Sequence, residues 1–322
     1  MSAIVEVRGL QRWYSQVMAV NDLSFDIVPG HVVGFVGANG AGKTTTMRIM
    51  ATLEAPSAGS VRICGYDVVN FPSQVRGRIG WMPDAYGTYE HMTVYEYLDF
   101  FGRAFGFRGR DRERRIDEVM DFTDLAVIAD REMNQLSKGM AQRLCLGRTL
   151  INDPEVLILD EPAAGLDPKA RIDLIRLIRL LARDGKTVFI SSHILSELGQ
   201  MCDTLLFIDR GRLVHHGSAE SLTRQQGSEI IIAVHVAGGE ERLHEWAMLN
   251  PGVRLLEEIK GGARLVFDSA DPEALAVHLR KMVTDGLDVT EFRREARRLE
   301  DAFISILSQT GPPPLPVESR SS

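Results

Sequence analysis

The stretch that most constrains this chain is Gly37-Ala38-Asn39-Gly40-Ala41-Gly42-Lys43-Thr44-Thr45. It fits G-x-x-x-x-G-K-[ST], a glycine-rich loop whose backbone N–H groups cradle a chain of phosphates. The run before it, Val32-Val33-Gly34-Phe35-Val36, is short and apolar, as a buried parallel strand should be. After it, Thr45-Thr46-Met47-Arg48-Ile49-Met50 reads as the start of a helix. Strand, glycine loop and helix in that order place a polyphosphate on the positive end of a helix dipole. Lys43 would bridge the outer phosphates, and the Thr44 hydroxyl would hold Mg²⁺. A glycine-rich turn with a chance lysine is the bland alternative, and the flanking strand and helix argue against it. The implied ligand is a nucleotide.

The 322 residues provide for about two domains. With 44% hydrophobic and 25% charged residues, a sizeable core can form. A net charge of -7 argues against nucleic acid as the main partner, although a local basic patch stays open. Cys64, Cys145 and Cys202 form no C-x-x-C pair, and Met1–Glu6 lacks a basic region followed by an apolar one. The expectation is a reducing cytosol with no secretory signal. No apolar run approaches the ~20 residues that span a bilayer, so a membrane role would come through a partner.

Along the chain, Ile4-Val5-Glu6-Val7 and Leu23-Ser24-Phe25-Asp26-Ile27 read as strands, with Arg12-Trp13-Tyr14-Ser15 between them. Residues 59–68 read as one further strand. Residues 79–107 hold Trp81, Tyr86, Tyr89, Tyr95, Tyr97, Phe100, Phe101, Phe105 and Phe107, a large share of the chain's 3 Trp, 6 Tyr and 13 Phe. Such a segment suits the core of a helical subdomain, a surface for another protein, or both. Residues 109–119 alternate Arg with Asp and Glu, as a solvated helix face does. Beyond a polar linker at 222–228, strands at 229–236, 253–258, 263–268 and 288–293 and helices at 240–248 and 272–283 are predicted. That order is β-α-β-β-α-β. A last helix, 298–308, precedes a Pro/Ser-rich tail at 309–322, expected to be disordered.

Three features add chemistry to the loop. Glu155-Val156-Leu157-Ile158-Leu159-Asp160-Glu161-Pro162 is an apolar strand closed by two carboxylates. There Asp160 would bind Mg²⁺, directly or through water, and Glu161 would orient the water that attacks the γ-phosphate. Thr187 to Ser192 is a second core strand, ending at His193, within reach of the same phosphate. His215-His216 has no such company and reads as a loop. Leu136-Ser137-Lys138-Gly139-Met140 opens a helix: Ser137 is at least an N-cap, and the helix start is a second anion-binding terminus. Because one loop already serves this chain's own nucleotide, that terminus suggests contact with a nucleotide held by another subunit.

In this order the motifs resemble the nucleotide-binding subunits of ATP-binding-cassette (ABC) transporters, over about 220 residues. The resemblance implies an α/β fold: a P-loop core of RecA type, an antiparallel β subdomain and a helical subdomain at about 85–150, together spanning 1–225. It further implies ATP and Mg²⁺ as ligands and a head-to-tail dimer, taken as two identical copies, closing over two ATP molecules. Tyr14 matches the aromatic that stacks on adenine, with Val20 beside it and Trp13 as the less well-spaced candidate. Asn39, Gly40, Ala41, Gly42, Lys43, Thr44 and Thr45 match the phosphate loop. Ser137 and Gly139 match the contacts to the γ-phosphate across the dimer, and Asp167 matches an aspartate at its seam. Asp160 and Glu161 match the magnesium ligand and catalytic base, and His193 the switch histidine. Two departures stand out. Lys138 and Met140 replace the usual glycine and glutamine, and Asp84, in Met82-Pro83-Asp84, replaces a glutamine that reaches Mg²⁺ or the attacking water; one methylene shorter and charged, Asp84 is expected to ligate Mg²⁺ directly or through water.

The rest of the chain, 226–308, reads as a small ferredoxin-like α+β domain ending Arg298-Leu299-Glu300-Asp301-Ala302-Phe303. It resembles the drug-, antibiotic- and lipid-export ATPases of bacteria and archaea. These pair with a separate six-helix permease at the cytoplasmic face of the membrane, with no nucleic-acid partner. A soluble ABC ATPase acting on nucleic acid or ribosomes is the alternative. Two cassettes in one chain, or a coiled-coil or zinc insertion, would favour it, and none is visible. A regulator that binds without hydrolysing is opposed by Lys43 and Glu161, and a GTPase by the lack of an Asn-Lys-x-Asp motif.

Overall fold

Alternation of buried and exposed residues builds the first sheet. In the computed structural model, which describes residues 2–85, 87, 89–218, 221, 230–295 and 301, strands β1 (Val5–Tyr14) and β2 (Val17–Ile27) pair antiparallel. Val5, Val7, Leu10, Leu23, Phe25 and Ile27 are buried on one face. The strands run further than the short stretches predicted, and turn only around Ser15, which adopts a left-handed φ of 52°. β3 (Val32–Val36) is buried at every position and leads into helix α1 (Lys43–Met50). The single strand expected at 59–68 divides into β4 (Ala58–Ile63) and β5 (Tyr66–Asp67), broken at Cys64 and Gly65, both with positive φ. The antiparallel sheet has the order β2-β1-β4-β5.

Helix α2 (Pro72–Arg76) and strand β6 (Ile79–Met82) lead to a helical region of α3 (Val94–Ala104), α4 (Gly109–Phe122) and α5 (Lys138–Leu150). A capping box of Thr93 and Glu96 starts α3. The chain then alternates strand and helix: β7 (Val156–Leu159), α6 (Pro168–Arg183), β8 (Thr187–Ser192), α7 (Leu195–Met201) and β9 (Thr204–Asp209). β10 (Arg212–Gly217) closes the series. The second sheet has the order β10-β9-β3-β8-β7-β6, parallel except for the edge strand β10. His215 and His216, expected in a loop, lie on β10. A register shift between Leu213 and His215 lets the strand continue, and His215 packs edge-on against Phe207. Rings of Phe25, Phe35 and Phe189, with centroids 5.1–6.2 Å apart, join the two sheets in one core. Because β3, β7 and β8 are parallel neighbours, the residues that follow each of them emerge at one end, where open α/β sheets bind ligands.

The chain divides into two compact units, Met1–Ala219 and Glu220–Ser322. The second contains β11 (Ile230–Val236), α8 (Glu240–Leu249), β12 (Val253–Ile259), β13 (Gly262–Phe267), α9 (Pro272–Thr284) and β14 (Val289–Glu295). All neighbours in its sheet are antiparallel, in the order β12-β13-β11-β14, which is the split β-α-β-β-α-β arrangement. Ile230, Ile232, Val234, Leu265 and Phe267 form its core with Trp246. Arg264, only 2% exposed, is neutralised by Glu257, Glu295 and a bidentate pair with Asp301. The predicted linker at 222–228, the Pro/Ser-rich tail and Tyr86 lie outside the described residues, as does the predicted last helix except Asp301.

Candidate functional site

The phosphate loop is shaped by close approach. Gly42, at φ 106°, caps α1, and a Cβ there would lie 2.4 Å from the carbonyl oxygen of Ala19. A Cβ on Gly37 would lie 2.4 Å from the carbonyl oxygen of Ile208. Neither position can take a side chain without moving backbone. Thr46 donates its hydroxyl to the carbonyl of Gly42 at 2.9 Å, and Ala41 turns its N–H to the carbonyl of Ala38. Lys43 is 6% exposed, and its Nζ donates to the carbonyls of Gly37 (2.7 Å) and Ala38 (3.3 Å). The ammonium is thus held over the loop.

Facing it are the two carboxylates after β7. Asp160 is 1% exposed, and its Oδ1 accepts from the Ser191 hydroxyl at 2.7 Å. Burial raises its carboxyl above the ordinary aspartate range, with Glu161 and Asp84 adding to the rise and hydrogen bonds with Ser191 and Thr44 opposing it. Glu161 has a left-handed φ of 48° and donates its N–H to Ser191 Oγ at 2.8 Å. Its Oε1 lies 3.6 Å from Lys43 Nζ, and its Oε2 lies 2.7 Å from His193 Nδ1. One hydroxyl, that of Ser191, therefore fixes both acidic residues. Sequence reasoning placed Ser191 only in the polar end of a strand; its partners are 30 and 31 residues away, and no local pattern marks them.

Lys43 and Glu161 line a cleft of about 510 Å³, whereas Asp160 and Ser191 are buried and not part of its lining. Tyr14, Asn39, Gly40, Gly42, Lys43, Thr44, Thr45, Asp84, Glu161 and His193 face it, and Ala19 and Ala164 join them. Val20 does not. It is fully buried, and the alternation of β2 turns its neighbour Ala19 to the cleft instead. Ala41 is also buried and shapes the loop from within. Ser137, Gly139 and Asp167 lie off this lining. Ser137 caps α5 by accepting from the Met140 N–H, and Asp167 caps α6 by accepting from the N–H groups of Lys169 and Ala170. Thr44, Asp160 and the exposed Asp84 offer hard oxygen donors, a set that fits Mg²⁺ completed by water and phosphate oxygens.

The raised carboxyl has a consequence for stability. A buried Asp with a folded pKa above its unfolded one binds more protons folded, so its cost appears as pH rises through the interval between the two. Asp160→Asn should therefore raise the melting temperature of the nucleotide-free protein at pH values above that interval and leave it unchanged below it. The same variant should lose the further stabilisation given by Mg²⁺ with ATP. A thermal melt with and without Mg·ATP checks both signs.

Residues 20–164 match the family model described as ABC transporter. The chain is 33% identical over 306 residues to the Nod factor export ATP-binding protein I of Ralstonia nicotianae, covering 94% of this chain and 93% of that protein. It is 38% identical over 214 residues to the ABC transporter ATP-binding protein NatA of Bacillus subtilis, covering 66% of this chain and 87% of that one. A solved structure of an ATP-binding subunit of an ABC transporter superposes with a TM-score of 0.63 at 29% identity, covering 69% of this chain and 92% of the other.

Proposed function

We propose that this chain, which belongs to the ABC transporter family of ATP-binding subunits, is the ATPase of an exporter: it binds Mg·ATP in the cleft, pairs head to tail with a second copy and drives a separate membrane permease. The observation that carries the reading is Glu161, held between Lys43 and His193 and braced by Ser191 beside the buried Asp160. A carboxylate so placed can orient a water and take its proton, while Lys43 steadies charge on the outer phosphates. Thr44 and Asp160, with the exposed Asp84, would hold Mg²⁺, whose charge would offset that of the phosphates. His193, half exposed and paired with Glu161, is placed to exchange that partner for the γ-phosphate.

Support for the head-to-tail pair is that Ser137, Gly139 and Asp167 lie off their own chain's cleft. The start of α5 is then free to meet a nucleotide bound to another copy. Support for export comes from the curated relatives, which include Nod factor export proteins. No helix among the described residues is long and apolar enough to cross a membrane; the membrane partner of this reading is a six-helix permease met at the cytoplasmic face.

The aromatic segment supplies part of the docking surface. Tyr97 is buried and packs on Phe101, whereas Phe105 and Leu53 are about half exposed. Leu53, Trp81, Phe101 and Phe105, with Arg76 and Arg148 beside them, line a groove of about 230 Å³ that suits a short amphipathic helix of the permease. Permease in lipid should stimulate ATP hydrolysis by this chain; unchanged activity across several lipid compositions would count against the coupling. Phe105→Glu should abolish that stimulation and leave hydrolysis by the isolated chain within about twofold, since a surface charge away from the cleft changes little else. Purification from detergent-solubilised native membranes tests the partner directly. A stoichiometric polytopic protein supports the proposal, and ribosomal or DNA-repair proteins alone would refute it.

A further inference from the structure

We infer that Glu54, just past the end of α1, is the positioning residue that fixes the nucleobase platform of the cleft relative to its phosphate end; the inference rests on the functional reading above. Tyr14 lines the cleft and is 38% exposed. It sits at the last position of β1, beside the Ser15 turn. A phenol there has few packing neighbours to hold its ring. Two charged groups do so instead. The Arg12 guanidinium covers one face of the ring, 4.7 Å from its centroid, which leaves the other face to a base. The Tyr14 hydroxyl donates a hydrogen bond to Glu54 Oε2.

Glu54 ties this platform to α1. The oxygen that receives the Tyr14 hydroxyl also lies 3.6 Å from Arg12 Nε, and Oε1 lies 2.8 Å from Nε of Arg48 on α1. The backbone N–H groups of Leu53 and Glu54 both donate to the Arg48 carbonyl. The carboxylate is only 15% exposed. Arg12 Nε is buried and makes no hydrogen bond, so the ion pair with Glu54 and the stack on Tyr14 are what hold it. α1 carries Lys43 and Thr44 at its other end. One short helix therefore sets the phosphate contacts at its N-terminus and, through Arg48 and Glu54, the platform at its C-terminus. A base and a triphosphate are joined covalently, so binding both at full strength requires that the distance between the two sites be fixed in advance.

Loss of a base–aromatic stack weakens binding roughly 5- to 150-fold; loosening the platform without removing the ring should fall at the low end, about 5- to 20-fold. The test compares Mg·ATP with Mg·tripolyphosphate, which has no base, by calorimetry on the full chain. Glu54→Ala should weaken ATP by that factor and leave tripolyphosphate within about twofold. In turnover the loss should fall on KM rather than kcat. Glu54→Gln keeps an acceptor for the Tyr14 hydroxyl and should recover most of the affinity. Tyr14→Phe should mimic Glu54→Ala, and the double variant should be no weaker than the worse single one, because both break one linkage. Unchanged ATP affinity in Glu54→Ala, equal weakening of both ligands, or additive losses in the double variant would overturn the inference. A wild-type chain that binds no ATP would overturn the functional reading and this one together, a result distinct from any behaviour of the variants.

Discussion

Glu161→Gln is expected to keep ATP binding and to lose turnover by about 10²- to 10⁴-fold, the span over which a positioned general base contributes. The amide preserves the shape of the side chain and can still meet His193 Nδ1 and the Lys43 ammonium, each of which now contacts one carboxylate oxygen. It cannot take a proton from water. Removing a negative charge 3.6 Å from Lys43 should leave nucleotide affinity equal or improved. With hydrolysis stalled, two copies should remain closed over ATP and elute at twice the monomer mass on a sizing column, but not with ADP. Phosphate release and size exclusion check the two halves of this expectation. Normal hydrolysis by Glu161→Gln would remove this residue from the role of base.

Lys43→Ala should be as damaging for a different reason. Among the residues that line the cleft, Lys43 is the sole lysine or arginine, against the carboxylates of Asp84 and Glu161. Its Nζ already has the Gly37 and Ala38 carbonyls as supports, so it is oriented before ligand arrives. Truncation removes a charge-assisted contact, worth about 10- to 100-fold in ATP affinity. It also leaves the buried Asp160 and the adjacent Glu161 without a nearby ammonium. Preorganised donors of this kind contribute about 10²- to 10³-fold to the chemical step. Turnover at saturating ATP should fall by that factor, and the ATP dissociation constant should rise. Turnover within tenfold of wild type would show that the cation is not where the reaction develops charge.

Much of this was legible in one dimension because the determining interactions are short in sequence. The phosphate loop needs a strand, nine residues and a helix start, all contiguous. The second unit's six elements were placed within two residues of their observed bounds, because period-2 alternation and turn glycines are local signals. Asp160 and Glu161 announced themselves as charges closing an apolar run. Errors arose where a single residue decides a face or a turn. Ala19 and Val20 are adjacent, yet the pleat of β2 sends one to the cleft and the other to the core. Likewise β10 carries His215 and His216 because a register shift extends pairing that hydropathy alone would end.

The chain's own sequence determined its family, its phosphate loop and the acidic pair to which we assign the chemistry, since each is written in consecutive residues whose backbone conformation they themselves impose. Only the tertiary structure decided how these pieces are held. Ser191 reaches Asp160 and Glu161 because β7 and β8 are parallel neighbours, and Glu54 reaches Tyr14 across 40 residues because α1 ends beside β1. Such contacts depend on which strands become neighbours, and strand order is set by burying one shared core rather than by any local run of residues.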